Sequence, residues 1–211
     1  MHVLLIVWLT IAMLAWSPPP ACSPGGSISL YGAETNRYAR IAWVALDVAY
    51  DPAEKPLFEG PKGRAKTALQ LLAIAGFESS YREDVQMGVK RGKSGDACLM
   101  QVIIPSRLTP GFKRFRMQLT SLTYKWIPFN SPEEGLTADD LVGTDAHNCF
   151  RAGLHIARES FQICHDLSMY TNGKCNKDVK AKHREQRAFQ HYRMHPAPVD
   201  DVTALNSAVG F

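Results

Sequence analysis

The chain has 211 residues, which is enough for one domain of ordinary size. Hydrophobic residues make up 45% and charged residues 21%, a composition that argues against an intrinsically disordered chain. The net charge of +4 is a mild excess, which suits a polyanionic partner and is too weak to indicate a nucleic-acid-binding protein.

The N-terminal segment has the pattern of an export signal. Residues 3–16 are apolar apart from one threonine, and a proline run at 18–20 ends them. Such a segment is too short for a bilayer, which needs about 20 apolar residues. We therefore predict a signal peptide over residues 1–21 and an exported protein, periplasmic or extracellular. A lipid anchor at Cys22 and a retained anchor helix are the alternatives. A buried N-terminal helix is disfavoured, because the segment has no polar face.

The cysteines predict two disulfides. Once the cysteine that follows the predicted signal is set aside, four remain, an even number in a chain expected to be exported. Four cysteines allow three pairings. We favour Cys164–Cys175, which closes a short loop, and Cys98–Cys149, which ties the two halves of the domain together. A zinc site would need Cys-x2-Cys or His-Glu-x-x-His spacing, and neither occurs, so we expect no metal and no other cofactor.

The remaining pattern predicts one mostly α-helical domain over residues 36–195, after a linker at 22–35 and before a mobile tail at 196–211. No repeat and no second hydrophobic core is evident. The predicted helices cover 36–50, 65–78, 145–164 and 179–192. The predicted loops cover 51–63 and 82–95, with a turn at 172–175. Residues 108–143 are expected to hold short helical turns, with β-structure around 119–127 as an alternative.

Glu78 stands at the end of the apolar run 65–77. Apolar surroundings solvate a carboxylate poorly, so its pKa should rise, and a carboxylic acid that keeps its proton near neutral pH can donate it to a leaving group. Taken alone, a solvated carboxylate at a helix end is the simpler interpretation.

Further segments give Glu78 a context. In chain order they are Glu78-Ser79, Cys98-Leu99-Met100-Gln101, the helix from Asn148 to Gly153, Tyr170-Thr171-Asn172-Gly173, and the segment from Arg184 to Phe189. Together they resemble the soluble lytic transglycosylase family, whose segments read Glu-Ser, Gly-Leu-Met-Gln, Asn-x-x-x-x-Gly, Tyr-Asn-x-Gly and Glu-Thr-Arg-x-Tyr. Three departures stand out: Cys98 replaces a glycine, Thr171 separates the tyrosine from the asparagine, and Phe189 replaces a tyrosine.

The resemblance implies a lysozyme-like fold of the α+β superfamily, as a helical single domain with long loops. It also implies a monomeric enzyme that cleaves the β-1,4 bond between N-acetylmuramic acid and N-acetylglucosamine in peptidoglycan. Glu78 would protonate the glycosidic oxygen and then take the proton of the muramic acid C6 hydroxyl, which forms a 1,6-anhydro sugar. The implied partners are glycan strands, with an envelope or secretion machinery as a further candidate and no nucleic acid.

The resemblance assigns substrate binding to seven side chains: Ser79, Leu99, Met100, Gln101, Tyr170, Asn172 and Glu185. Each has a purely structural alternative. Ser79 would then bond its own helix end, Met100 would fill the core, and Glu185 would pair with a neighbouring base.

Two other functions remain open from the sequence. A goose-type muramidase would use water instead of the sugar hydroxyl, usually with a second carboxylate. Glu83, Asp84 and Asp96 lie in the adjoining loop and are candidates for that group. A wall-binding envelope protein without catalysis is the other alternative.

Overall fold

The computed structural model describes residues 2–18, 28–92, 96–102, 114–118, 124–128, 138–172, 175 and 179–198. These ranges are mostly helical, as predicted. In chain order the elements are α1 (Val3–Trp16), α2 (Ile28–Tyr50), α3 (Gly63–Ser79), α4 (Glu83–Gln86), β1 (Arg114–Gln118), β2 (Tyr124–Pro128), a 3-10 turn (Ala138–Leu141), α5 (His147–Cys164), α6 (Ser168–Asn172) and α7 (Val179–Met194).

Helix α3 is the centre of the core. Its run of Ala, Leu and Ile residues is apolar on every side, and a helix of that kind is stable only when other elements surround it. Residues 67–76 are all buried, and α1, α2, α5 and α7 pack around them. Thr67 and Gln70 are the polar exceptions, and the Nε2 of Gln70 donates to the carbonyl oxygen of Arg184 on α7 at 3.3 Å. The fold thus places the end of α3, with Glu78, against α7.

Helix α1 packs on the same core. The side chains of Leu9, Ala12 and Met13 are fully buried, and the indole nitrogen of Trp8 donates to the carbonyl oxygen of His195 at 2.9 Å. The opposite face, including Leu4, remains exposed. The segment expected as an isolated export signal is therefore packed in this structure, because α2 and α3 offer it an apolar surface. No helix in the described ranges is long and apolar enough to cross a membrane.

Both favoured disulfides are confirmed. Cys98–Cys149 joins the turn at residues 97–102 to α5, with 6.0 Å between the Cα atoms. Cys164–Cys175 follows α5 and closes an 11-residue separation, with 5.0 Å between the Cα atoms. The first bridge ties together parts of the chain 51 residues apart, so it constrains the unfolded chain more than the second.

Some boundaries differ from the sequence-based expectations. Helix α2 begins at Ile28 and includes part of the predicted linker, and the short α4 lies in the predicted loop 82–95. β1 and β2 form an antiparallel hairpin, and β2 overlaps the stretch where β-structure was the alternative. Most of the predicted tail and of the turn at 172–175 lies outside the described residues.

A buried ionic cluster fastens the loop before α3 to α5. Glu54 is 3% exposed, and its carboxylate contacts the Nε2 of His155 at 2.7 Å and the Nε of Arg151 at 3.2 Å. Buried charges of this kind need partners. The guanidinium of Arg64 also donates to the carbonyl oxygens of Ala49 and of Glu54 itself. Because every contact is internal, we assign the cluster a structural role.

Candidate active site

The end of α3 is fixed by two residues in the left-handed region. Ser80 and Tyr81 have φ of 51° and 55°, values that L-residues rarely adopt. The chain therefore turns back, and the buried ring of Tyr81 lies against the helix, where its hydroxyl donates to the carbonyl oxygen of Leu72 at 2.9 Å. A Cβ at Gly76 would stand 2.7 Å from that hydroxyl oxygen, so only glycine fits there. This reversal holds Glu78 at the rim of the core.

Glu78 is largely buried and paired with a cation. Its side chain is 21% exposed, and its Oε1 accepts a hydrogen bond of 2.6 Å from the Nη2 of Arg184. Burial raises the pKa of Glu78, and this effect outweighs the lowering by the charges of Arg184 and Lys180. The charge of Asp96 raises it further. The predicted rise of the Glu78 pKa therefore has a physical cause in the structure.

Arg184 is the site residue that the sequence did not single out. Its side chain is 7% exposed, and its Nη1 donates to the carbonyl oxygen of Lys180 at 2.9 Å. The guanidinium also lies 5.1 Å from the ring centroid of Phe77. The basic run around it suggested a solvated face. A signal was present, however, because the buried positions of α7 recur at spacings of three and four: Ala181, Arg184, Ala188, His191.

The Cys98–Gln101 segment is a tight turn beside this pair. The backbones of Ala97 and Val102 exchange two hydrogen bonds of 3.0 Å, and Cys98 and Gln101 have φ of 61° and 48°. A left-handed conformation favours glycine, and here a disulfide-bonded cysteine adopts it at the first position. Gln101 is half-buried, and its Nε2 donates to the carbonyl oxygen of Cys98 at 2.9 Å.

Leu99 and Met100 are core residues in this conformation. Both side chains are fully buried, and a Cβ at Gly153 of α5 would stand 2.3 Å from the Met100 Cε. The two segments therefore pack as closely as glycine permits. Neither Leu99 nor Met100 presents its side chain to solvent, so their predicted contact with a sugar is not made at the surface seen here.

Tyr170 of α6 connects the turn to Glu78. Its hydroxyl donates to the carbonyl oxygen of Met100 at 2.5 Å. Burial raises the pKa of Tyr170 well above its ordinary value, and the charge of Glu78 raises it further, so the two side chains are close enough to interact electrostatically. The side chain of Asn172, predicted beside it, lies outside the described residues.

Two predicted binding residues have internal partners instead. The hydroxyl of Ser79 donates to the carbonyl oxygen of Ala75 at 2.8 Å, which is the helix-terminus alternative. The Oε1 of Glu185 accepts a hydrogen bond of 2.7 Å from the backbone nitrogen of Leu167, and burial raises the Glu185 pKa. The sequence neighbour Arg184, on another face of α7, takes the place near Glu78.

Asp96 is the loop carboxylate that acts on Glu78. Burial raises the pKa of Asp96, whose charge in turn raises that of Glu78. Asp84 pairs instead with Arg82, which lowers the pKa of Asp84, and Glu83 is exposed on α4.

Three cavities, of about 450, 540 and 400 Å³, open on the described part of the chain, and Glu78 lines none of them. No group of three or more His, Cys, Asp or Glu residues within the described ranges could hold a metal ion. In comparisons with known proteins, no family model, no curated protein and no solved structure matches this chain.

Proposed function

We propose that this chain is a peptidoglycan lytic transglycosylase with a lysozyme-like fold, in which Glu78 acts as general acid and then as general base. One observation supports the proposal: the segments that resemble that family contact one another, and Arg184 and Tyr170 from two of them interact with Glu78. Arg184, 106 residues further along the chain, pairs with its carboxylate. Tyr170 joins the 98–101 turn, which packs on Gly153 and is bridged to α5.

The chemistry needs one group with two protonation states. Burial raises the pKa of Glu78 and so favours the protonated acid, which donates its proton to the glycosidic oxygen as the C–O bond breaks. The resulting carboxylate accepts the proton of the C6 hydroxyl as that oxygen bonds to the anomeric carbon. Glu78 ends protonated and no water is consumed. The guanidinium of Arg184 stabilises the charged form between the two steps.

The proposed substrate requires an exported protein. Disulfides persist in oxidising compartments such as the periplasm or the extracellular medium, and both bridges of this chain support that location. The form that the structure describes includes α1, so assays should begin with the full chain.

A hydrolysing muramidase is the second candidate, and Asp96 favours it. Inverting glycosidases use a second carboxylate to activate water. Of the three loop acids, Asp96 is the one whose charge contributes to the raised pKa of Glu78, as the smallest of several causes, so it is the best placed for that role. A wall-binding protein without catalysis is the third candidate.

Digestion of purified peptidoglycan tests all three. We expect the parent chain to release muropeptides with 1,6-anhydro ends, Glu78→Gln to release none, and Glu83→Gln, which changes an exposed acid on α4, to match the parent. Products heavier by one water, with reducing ends, and loss of activity in Asp96→Asn would establish the muramidase instead. Binding without any product from the folded parent would leave only the wall-binding function.

A further inference from the structure

A candidate binding site separate from Glu78 lies in the cavity between α1 and α7, and it does not depend on the proposed wall activity. This α1–α7 cavity has a volume of about 450 Å³. Its apolar walls include the rings of Trp16 and Phe77, and its polar side is formed by α7 and the residue after it. The titratable side chains that line it are all basic: His183, Arg187, His191 and His195.

Arg187 has no anionic partner in the part of the chain that the structure describes. It is half-buried, and its guanidinium carbon lies 3.8 Å from the Phe77 ring centroid and 5.8 Å from that of Trp16. Burial lowers the pKa of Arg187, but a guanidinium stays protonated in proteins. Within the described part of the chain it makes no hydrogen bond and no ion pair. Partly desolvated charges are costly when unpaired, so an oxygen anion beside Arg187 would be stabilised.

His191 independently indicates a ligand. It is 5% exposed, and its Nε2 is buried without a hydrogen-bond partner. Buried polar atoms are nearly always hydrogen-bonded, so an orphaned nitrogen in the lining of a cavity is the place where a bound group belongs. The ring of Trp16 stands edge-on to that of His191, with 5.6 Å between centroids. His191 and the unpaired guanidinium of Arg187 therefore belong to the lining of the same cavity, and the Nε2 of His191 reaches a bound group there once its ring turns.

We propose that the α1–α7 cavity binds a carboxylate attached to a flat or apolar group, with Arg187 and His191 holding the carboxylate and Trp16 and Phe77 holding the rest. The planar guanidinium matches a carboxylate with two parallel hydrogen bonds. The aromatic walls supply the apolar area that a pocket of this size needs to retain a small ligand.

Benzoate is a suitable probe, and benzamide is its neutral counterpart of the same shape. The full chain, labelled with ¹⁵N, would be titrated with each at millimolar concentration and followed by NMR. We expect benzoate to shift the indole N–H of Trp16 and the amide of Phe77. We expect benzamide to bind more weakly by about 10- to 100-fold, the factor for charge-assisted hydrogen bonds.

Substitutions in α7 test whether the charge of Arg187 holds the carboxylate of the probe. Arg187→Gln should weaken benzoate binding by the same factor, whereas Arg193→Gln, an exposed arginine on the same helix outside the lining, should leave it unchanged. Thermal unfolding would show that each variant is folded. If Arg187→Gln does not fold, the benzoate and benzamide comparison and His191→Gln, which should also weaken binding, decide the matter. Equal affinity for the two probes, no binding of benzoate, or undiminished binding by folded Arg187→Gln would overturn the proposal.

Discussion

Removing the Cys98–Cys149 bridge should destabilise the protein more than removing Cys164–Cys175. Loop-closure entropy gives about 4 kcal/mol for a separation of 51 residues and about 3 kcal/mol for 11. The first bridge has a further contact, because the backbone nitrogen of Met100 donates to the Sγ of Cys149 at 3.4 Å. Loss of that buried hydrogen bond adds about 1 kcal/mol, so the two variants should differ by about 2 kcal/mol.

The matched variants are the double substitutions Cys98→Ala with Cys149→Ala and Cys164→Ala with Cys175→Ala. Each would be purified with its remaining bridge verified by mass spectrometry and unfolded in urea, with the m-value fitted for each variant because a lost cross-link expands the unfolded state. Equal losses of unfolding free energy, within the error of about 10–15% in such extrapolations, would refute the reasoning. So would a greater loss in the Cys164–Cys175 variant.

Three other substitutions test the proposed site and the packing of the helices. Arg184→Gln removes the cation that lowers the pKa of Glu78, so the pH at which the proposed lytic activity declines on the alkaline side should move upward. The control Arg193→Gln should leave the pH profile unchanged. A downward move in Arg184→Gln would contradict the assigned sign. Gly153→Ala should lower the unfolding free energy by about 1–3 kcal/mol, because its Cβ would overlap the 97–102 turn. Gly32→Ala, in a helix with nothing within 4 Å of its Cβ, should instead stabilise by up to about 1 kcal/mol in the same thermal or urea unfolding.

The helices were predictable because their hydrophobic patterns are local in sequence, and the disulfides were predictable from the number and spacing of the cysteines. The apolar run of α3 and the period of α5 specify helices by themselves, and an even set of cysteines with one short separation favours one pairing. The packing of α1 was not predicted: the missing polar face was read as evidence against a buried helix, whereas a uniformly apolar helix also fits a core that surrounds it. The start of α2 at Ile28 was missed for a related reason: the Gly and Ser residues before Glu34 favour a linker in isolation, and the structure has helix there.

Part of the candidate site was likewise predictable from the sequence, and part was not. The burial of Glu78 follows from its position on an apolar helix, so its raised pKa was accessible from sequence. The pairing with Arg184 was not, because a long basic side chain on a polar helix is usually solvated, and only the α3–α7 contact selects this one from its neighbours. For Leu99 and Met100 the sequence pattern placed the residues near the site but did not show which way their side chains point. Their side chains point into the core because the left-handed turn at Cys98 and Gln101 reverses the chain there.

Taken alone, the Arg184–Glu78 pair opposes acid catalysis, since a guanidinium favours the carboxylate. A group that must first give a proton and then accept one, however, works best when neither form is strongly preferred. Burial alone would hold Glu78 protonated, and an exposed ion pair alone would hold it ionised. At this site burial has the larger effect and Arg184 limits it, which leaves the pKa raised but the charged form supported at 2.6 Å. In the proposed mechanism, the cation is therefore most needed in the step in which Glu78 is a carboxylate. A neutral residue at position 184 should therefore slow the step in which Glu78 accepts the C6 hydroxyl proton more than the step in which Glu78 donates its own proton. This holds even though the substitution leaves a larger fraction of Glu78 protonated.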